Sequence, residues 1–370
     1  MGFDRKLLKY LDWQLWLAML AISLFAVVVI RSASVGAIAG NPLYYVKNQI
    51  MFIVIGNLAI AVSLLFDYRL LLKLTKPIYL VNLGLLASVL LIGQAGGGAQ
   101  RWVSIAGFRL QPSEFAKVFI IVVLAHFLES QAGKNDLKSF LLSGALVALP
   151  MGLILIQPDL GTSLVFIALF FGVMYAAGTH AKFLVGLIAI GLLLFPLIWA
   201  HGLQDYQRNR LLVFLDPEAP QYRAHGGYQV IQSMIAVGSG GLLGQGYMQG
   251  TQNTHNFLPE QHTDFIFSVL AEEFGFVGTL ALIAAYVFLM QRILSIALEA
   301  KDLFGRLLAI GVLVLFLFQV FVNIGMTVGI MPVTGLPLPL VTAGGSSYLA
   351  FCMAIALVLN VGMRRQKILF

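Results

Sequence analysis

Apolar runs of about 18 to 25 residues follow one another along almost the whole chain, broken by one polar stretch of about sixty residues. A run of that length crosses hydrocarbon as a helix, because a helix satisfies its backbone polar groups within one segment. The runs fall near residues 13–31, 46–66, 72–93, 112–129, 138–156, 160–178, 181–201, 263–291, 305–330 and 340–362. The expected fold is an all-α polytopic membrane protein with about ten transmembrane helices and a large extracytoplasmic loop, about 202–262, between helices 7 and 8. Composition agrees, with 59% hydrophobic and only 11% charged residues. The first run lacks a small-residue cleavage pattern and is read as a retained helix. Cys352 is the single cysteine and lies within the last run, so disulfide, thiolate-metal and redox chemistry are not expected. No composition break or internal repeat divides the chain, and residues 1–370 read as one integral membrane domain.

An even number of spans puts both termini on one side. Of the 23 Lys and Arg residues, fifteen fall on that side, seven on the other, and Lys117 lies within a span. The excess marks the cytoplasmic side. The net charge of +7 therefore follows from topology, and nucleic acid is not expected as a partner. The outer side then carries the long loop, the loop at 94–111 and the turn QPDLGTS at 157–163, so a functional site should face outward.

The segment LPEQHTDFIFSVLAEEFG, residues 258–275, places Asp264 at the mouth of the eighth span. Two readings stand for that carboxylate: a functional group, since charge at the membrane edge is costly, or a complement to the helix dipole. Glu272 should lie about 12 Å deeper and about 80° around the helix, with Glu273 opposite Asp264. One of the two is expected to line a polar interior and the other to find a structural partner. His262 and His255 lack an ordinary metal spacing, which favours a hydrogen-bonding role for His262.

In GAQRWVSIAGFRLQPSEFAK, residues 98–117, Pro112 suits a first helical position, and Glu114 and Lys117 share a face. Either they form an internal ion pair, or Lys117 joins Arg101 in anchoring an anionic group. Trp102 reads as an interfacial belt residue. Arg208 and Arg210, in DYQRNRLLVFLDPEAP, suit an anionic headgroup or lipid phosphate equally. The run Tyr228–Val237 is too short to span and should form an interfacial or re-entrant helix. The glycines from 238 to 250 lack a preceding strand and a Walker lysine, so they read as flexible turns rather than a nucleotide loop. Asp159 is either a cap for helix 6 or a substrate contact. Pro332, Pro337 and Pro339 with Gly335 form a stiff turn, and Gly344, Gly345 and Ser346 suit close backbone approach to a substrate.

Taken together, LPEQHTDFIFSVLAEEFG, RLQPSEFAK, QPDLGTS, DYQRNRLLVFLDPE and VNIGMTVGIMPVTGLPLPLVTAGGSS resemble the SEDS family (shape, elongation, division and sporulation), in its RodA-type elongation branch. The resemblance covers nearly the whole chain; one departure is Thr342-Ala343, where the family usually has Ser-Tyr. It implies a peptidoglycan glycosyltransferase that polymerises lipid II into β-1,4 glycan strands during cell elongation, releasing undecaprenyl diphosphate. The family's essential aspartate corresponds to Asp264, which would act as base in an inverting transfer. Arg101, Glu114, Lys117, Asp159, Arg208, Arg210, His262, Thr263 and Ser346 become substrate-binding candidates, with Glu272 and Glu273 as a structural polar interior. A divalent cation, Mg or Mn, is the candidate cofactor, with no ligands assigned and no organic cofactor. The implied partners are lipid II, the nascent glycan strand, a class B penicillin-binding protein transpeptidase, other rod-shape membrane proteins and membrane lipids. The implied location is the bacterial cytoplasmic (inner) membrane, with both termini cytoplasmic and the active site outside. Two other classes stay open: a lipid II flippase lined by Glu114, Lys117, Glu272 and Glu273, or a noncatalytic scaffold with no need of Asp264.

Overall fold

Each expected apolar run contains a helix in the computed structural model, which describes residues 9–34, 41, 43–96, 99–105, 108–134, 136–222, 226–254, 257–258 and 261–365. In chain order these are α1 (Trp13–Ala33), α2 (Tyr44–Leu64), α3 (Leu70–Ile92), α4 (Pro112–Ser130), α5 (Leu137–Ile156), α6 (Leu160–Ala176) and α7 (Ala181–Leu197). After the polar stretch come α11 (Ile266–Leu298), α12 (Leu303–Thr327) and α13 (Gly345–Met363). Eight of these helices are long and apolar enough to cross a bilayer. The protein is a multi-pass membrane protein. Aspartates set several helix starts: Asp12, Asp136, Asp159 and Asp302 accept from the backbone N–H of Leu15, Ser139, Thr162 and Gly305. Pro112 opens α4, where its missing N–H costs nothing.

Helix α13 forms the centre, with 83% of its most apolar window buried, whereas α7 buries 6% of its own and lies at the periphery. Helix α13 packs on α2, α4 and α12. Charges close one end of the bundle. Arg292 reaches Asp12 at 2.5 Å, Arg365 reaches Glu299 at 3.1 Å, and Arg69 reaches Asp302 at 2.8 Å. Asn360 donates to the carbonyls of Ser63 and Phe66 while accepting from Tyr68 N, fixing the α2–α3 turn.

The opposite end holds what the sequence presented as loops. Three strands, β1 (Gln94–Gly96), β2 (Ala99–Ile105) and β3 (Phe108–Leu110), form an antiparallel sheet, with Gln94 opposite Trp102 and Ser104 opposite Arg109. The polar stretch folds into α8 (Asp205–Leu215), α9 (Gly226–Ser239) and the short α10 (Thr251–Thr254). Helix α9 includes the expected non-spanning run. Its buried residues Gly227, Val230, Ser233 and Ala236 recur every third position and face α11.

The expected eighth span requires correction. Gly275 has φ 64° and ψ −162°, a conformation that essentially only glycine adopts, and it breaks α11. The glycine-rich segment then serves the break. Phe276 N and Val277 N donate to the carbonyls of Gly241 and Leu242 at 2.9 and 3.1 Å, while Gln245 N and Gly246 N donate to those of Glu272 and Glu273 at 2.9 and 3.1 Å. Non-helical backbone is stable in such surroundings because protein groups satisfy it. Every residue from Ile266 to Glu273 is buried, and wide apolar exposure begins at Phe276. Residues 276–298 therefore form the membrane-facing helix, and 266–274 form a buried half-helix above it.

Glu272 and Glu273 consequently sit at the break rather than deep in a span. The hydroxyl of Ser32, near the end of α1, donates to Glu273. Glu272 accepts from Thr251 Oγ1 at 3.1 Å and Gln252 N at 2.9 Å, capping α10. Between α12 and α13 the chain folds back into the bundle. Tyr286, about 16 Å along the helix from Gly275, donates its hydroxyl to Pro339 O at 2.5 Å, and Leu336, Leu338, Leu340 and Val341 are buried.

Candidate active site

The half-helix begins two residues after Asp264, so its approach must be fixed by main-chain contacts from elsewhere. Asn323, one turn before the end of α12, donates to Asp264 O at 3.1 Å and Leu336 O at 2.8 Å. Thr342 donates to Thr263 O at 3.2 Å and accepts from Leu338 N at 2.8 Å, while Ala343 N donates to His262 O at 3.2 Å. Three consecutive carbonyls, from His262 to Asp264, are thus held by α12 and the returning loop. The positive φ of Gly335 (72°) bends that loop beside the carboxylate, and a Cβ there would lie 3.4 Å from Asp264 Oδ2. The ring of His262 lies 4.2 Å from that of Tyr45, consistent with a packing role, and His255 lies outside the described residues.

Two arginines from separate elements stand in the surroundings of this site, and one of them, Arg210, shares a field with the carboxylate. Arg210, on α8, donates through Nη1 to Thr334 O at 3.0 Å. Burial and the field of Arg101 push the guanidinium pKa of Arg210 down, while Asp264, Tyr206 and Asp159 oppose the shift. Two like charges and two carboxylates therefore share one field. Arg101, on β2, is fixed by the carbonyls of Gln157 and Pro158 at the end of α5, with Asp159 at 3.9 Å. An arginine pair held by carbonyls retains positive charge for a phosphate.

Asp159 is the cap of α6. It accepts from Thr162 N at 3.2 Å and Thr162 Oγ1 at 2.9 Å, with Ser113 Oγ at 3.4 Å. Lys117 and Glu114 form an ion pair at 2.8 Å, with exposures of 1% and 3%, and Lys117 also faces the ring of Phe351. The lysine charge is spent within the bundle. Arg208 turns away toward Ala200 O at 2.9 Å and Asp205 at 3.8 Å. Ser346 accepts from Gln111 N at 3.0 Å and donates to Arg109 O at 3.2 Å, joining α13 to the strand that leads into α4. The structure therefore gathers Asp264, Thr263, His262, Arg210, Arg101 and Asp159 at one end of the bundle, and gives Arg208 and the Lys117–Glu114 pair other partners.

The sequence pattern of the FTSW_RODA_SPOVE family, described as a cell cycle protein, matches residues 11–367. The chain belongs to this family. The peptidoglycan glycosyltransferase MrdB of Escherichia coli (strain K12) is 37% identical over 97% of this chain and 95% of its own length. A structure described as structural coordination of polymerization and crosslinking by a peptidoglycan synthase complex aligns with TM-score 0.81 at 36% identity, covering 96% of this chain and 98% of that one. The rod shape determining protein RodA of Thermus thermophilus aligns with TM-score 0.72 at 32% identity over 96% and 98% of the two chains. In this member of the FTSW_RODA_SPOVE family, the departure at Thr342-Ala343 has a definite structural role, since both residues bond the main chain just before Asp264. Sequence reasoning missed Asn323, although an amide inside an apolar run was a usable signal.

Proposed function

We infer that this protein is a peptidoglycan glycosyltransferase of the elongation type that joins lipid-linked disaccharide units into β-1,4 glycan strands. The observation that carries the reading is a half-buried carboxylate, Asp264, in the field of Arg210, which a main-chain carbonyl holds and which shares its own field with Arg101. Donor diphosphate and product linkage have opposite anomeric configurations, so one inverting displacement suffices. Asp264 takes the proton from the acceptor hydroxyl as that oxygen attacks the anomeric carbon and the bond to the diphosphate breaks. Arg210 and Arg101 stabilise the negative charge that grows on the leaving group. Among the described residues no three His, Cys, Asp or Glu side chains converge as a protein cage for a metal. Mg and Mn nevertheless suit one or two carboxylates together with substrate phosphates, so a divalent cation accompanying the donor diphosphate stays part of the proposal, and the roles of Asp264, Arg210 and Arg101 do not depend on it. We place the site outside the cytoplasm, on the excess of Lys and Arg at the other end of the bundle. We propose the bacterial inner membrane as its location, lipid II and the growing strand as its ligands, and a class B penicillin-binding protein as its partner. The last proposal draws support from the synthase complex that this chain resembles.

Purified protein supplied with lipid II, alone and with the transpeptidase, tests the reading. The native chain should make polymer and Asp264→Asn should lose at least about a hundredfold in rate while keeping its thermal unfolding temperature. Equal rates would remove Asp264 as the base.

A further inference from the structure

Beside Arg210 lies a pocket of about 280 Å³ that the polymerisation chemistry leaves unused. One wall is a single stripe of α8: Tyr206, Asn209, Arg210 and Val213 recur at the three- and four-residue spacing that keeps side chains on one helical face. Gln221, Tyr222 and Gln229 form the opposite wall, and Val333 closes the side toward Thr334 and Gly335. The wall is set by a tight junction. Gly227 N donates to Tyr222 O at 3.0 Å, and a Cβ on Gly227 would come within 2.2 Å of Pro217 O, so only glycine permits this approach of α9 to the turn.

The lining is chemically specific. Three carboxamides supply paired donors and acceptors, two phenol rings supply flat apolar faces, and one guanidinium stands at the edge without a carboxylate in the lining. The hydroxyl of Tyr206 is buried without a well-formed hydrogen bond to the protein, and a buried polar group in that state is one a ligand can satisfy. Arg210 lies 5.9 Å from the centre of the Tyr206 ring and also holds Thr334 O, so it spans the space between this pocket and Asp264. The volume is near the lower end for ligand pockets, enough for one ring rather than a whole disaccharide-peptide.

We propose that this pocket holds one N-acetylated sugar ring of the lipid-linked substrate, the ring whose diphosphate lies against Arg210. Asn209, Gln221 and Gln229 read the acetamido group, and Tyr206 and Tyr222 border the ring faces. The proposal rests on the glycosyltransferase reading, but its test uses binding rather than turnover. In the Asp264→Asn background, dissociation constants are measured in detergent for three fluorescent probes: lipid-linked disaccharide-pentapeptide, the same lipid-linked disaccharide without peptide, and undecaprenyl diphosphate without sugar. Asn209→Leu and Gln229→Leu should each weaken both sugar-bearing probes roughly tenfold, as loss of one or two hydrogen bonds does, and leave the sugarless diphosphate unchanged. Gln229→Asn, which keeps the amide, should recover part of the loss. Equal weakening of all three probes would reduce the pocket to part of an anion site, weakening only with the pentapeptide probe would assign it to the peptide, and no change in any probe with unfolding temperatures preserved would overturn it outright. Polymer made by Asp264→Asn would sink the base assignment while leaving this binding result standing.

Discussion

The two ends of the bundle use charge in opposite ways. At the end where α1 begins and α13 finishes, Arg292 meets Asp12, Arg69 meets Asp302 and Arg365 meets Glu299, each at 3.1 Å or less, so carboxylates and guanidiniums neutralise one another across helix ends. At the other end Arg101 and Arg210 are held by carbonyls of Gln157, Pro158 and Thr334, and Arg101 stands 3.9 Å from Asp159. Charge paired with charge holds helices together. Charge held by backbone remains available to a ligand, and like charges placed together lower the cost of bringing in an anion. The backbone differs too: the first end consists of helix ends and short turns, while the second adds a broken helix, a returning loop and a small sheet to its capped helix.

The sharpest way to break the comparison is to remove one cation from the second end. Arg210→Ala should lower kcat/KM for polymerisation by about 10² to 10³, whereas Arg208→Ala, two residues away and turned toward Ala200, should change it by only a few-fold; equal effects would mean that the two arginines share one role. Next in size is Gly275→Ala. A Cβ there would lie 2.2 Å from Gly244 N on a backbone only glycine favours, so the loop and the half-helix would separate at a cost on the order of 2–3 kcal/mol. Thermal unfolding in detergent reads that cost, and loss of activity should exceed what the unfolded fraction explains, because Asp264 leads directly into the same half-helix.

The smallest effect belongs to the first end. Asp302→Asn should destabilise by about 1–3 kcal/mol with unchanged activity per folded molecule. Burial raises the pKa of Asp302, but the Gly305 N–H, the Tyr68 hydroxyl and Arg69 more than offset it, so the carboxyl titrates below its usual range. A carboxylate with a depressed folded pKa contributes stability above its unfolded pKa, and that contribution is lost as pH falls through the folded value. The native protein should therefore lose stability below about pH 4, and Asp302→Asn should flatten that part of the profile. An unaltered profile would show that Tyr68 and Arg69 do not act through this carboxylate.

Helix existence was legible because hydrocarbon demands uninterrupted apolar length, which any window reveals, and the cap at Asp159 was visible as one of two readings. The pairing of Glu114 with Lys117 was likewise visible as one of two readings, since three-residue spacing places them together. The break at Gly275 was not. AEEFGFVG reads as continuous helix, and nothing local tells that residues 240–246 supply the backbone partners that make a positive φ stable there. That one geometry moved Glu272 and Glu273 from the span to the break. It also placed Asp264 below a buried half-helix.

By itself, the sequence determined the class and the order of the apolar helices and singled out Asp264 as a candidate, because spanning length, charge sidedness and a mouth-of-membrane acid are properties of short segments. Tertiary structure decided which cations face that carboxylate. Arg208 and Arg210 are equivalent as text, and only the direction of α8 against the Thr334–Gly335 loop turns one toward the site and the other away. The deciding contacts are hydrogen bonds between residues 124 positions apart, such as Arg210 to Thr334, whose geometry exists only once the helices have packed.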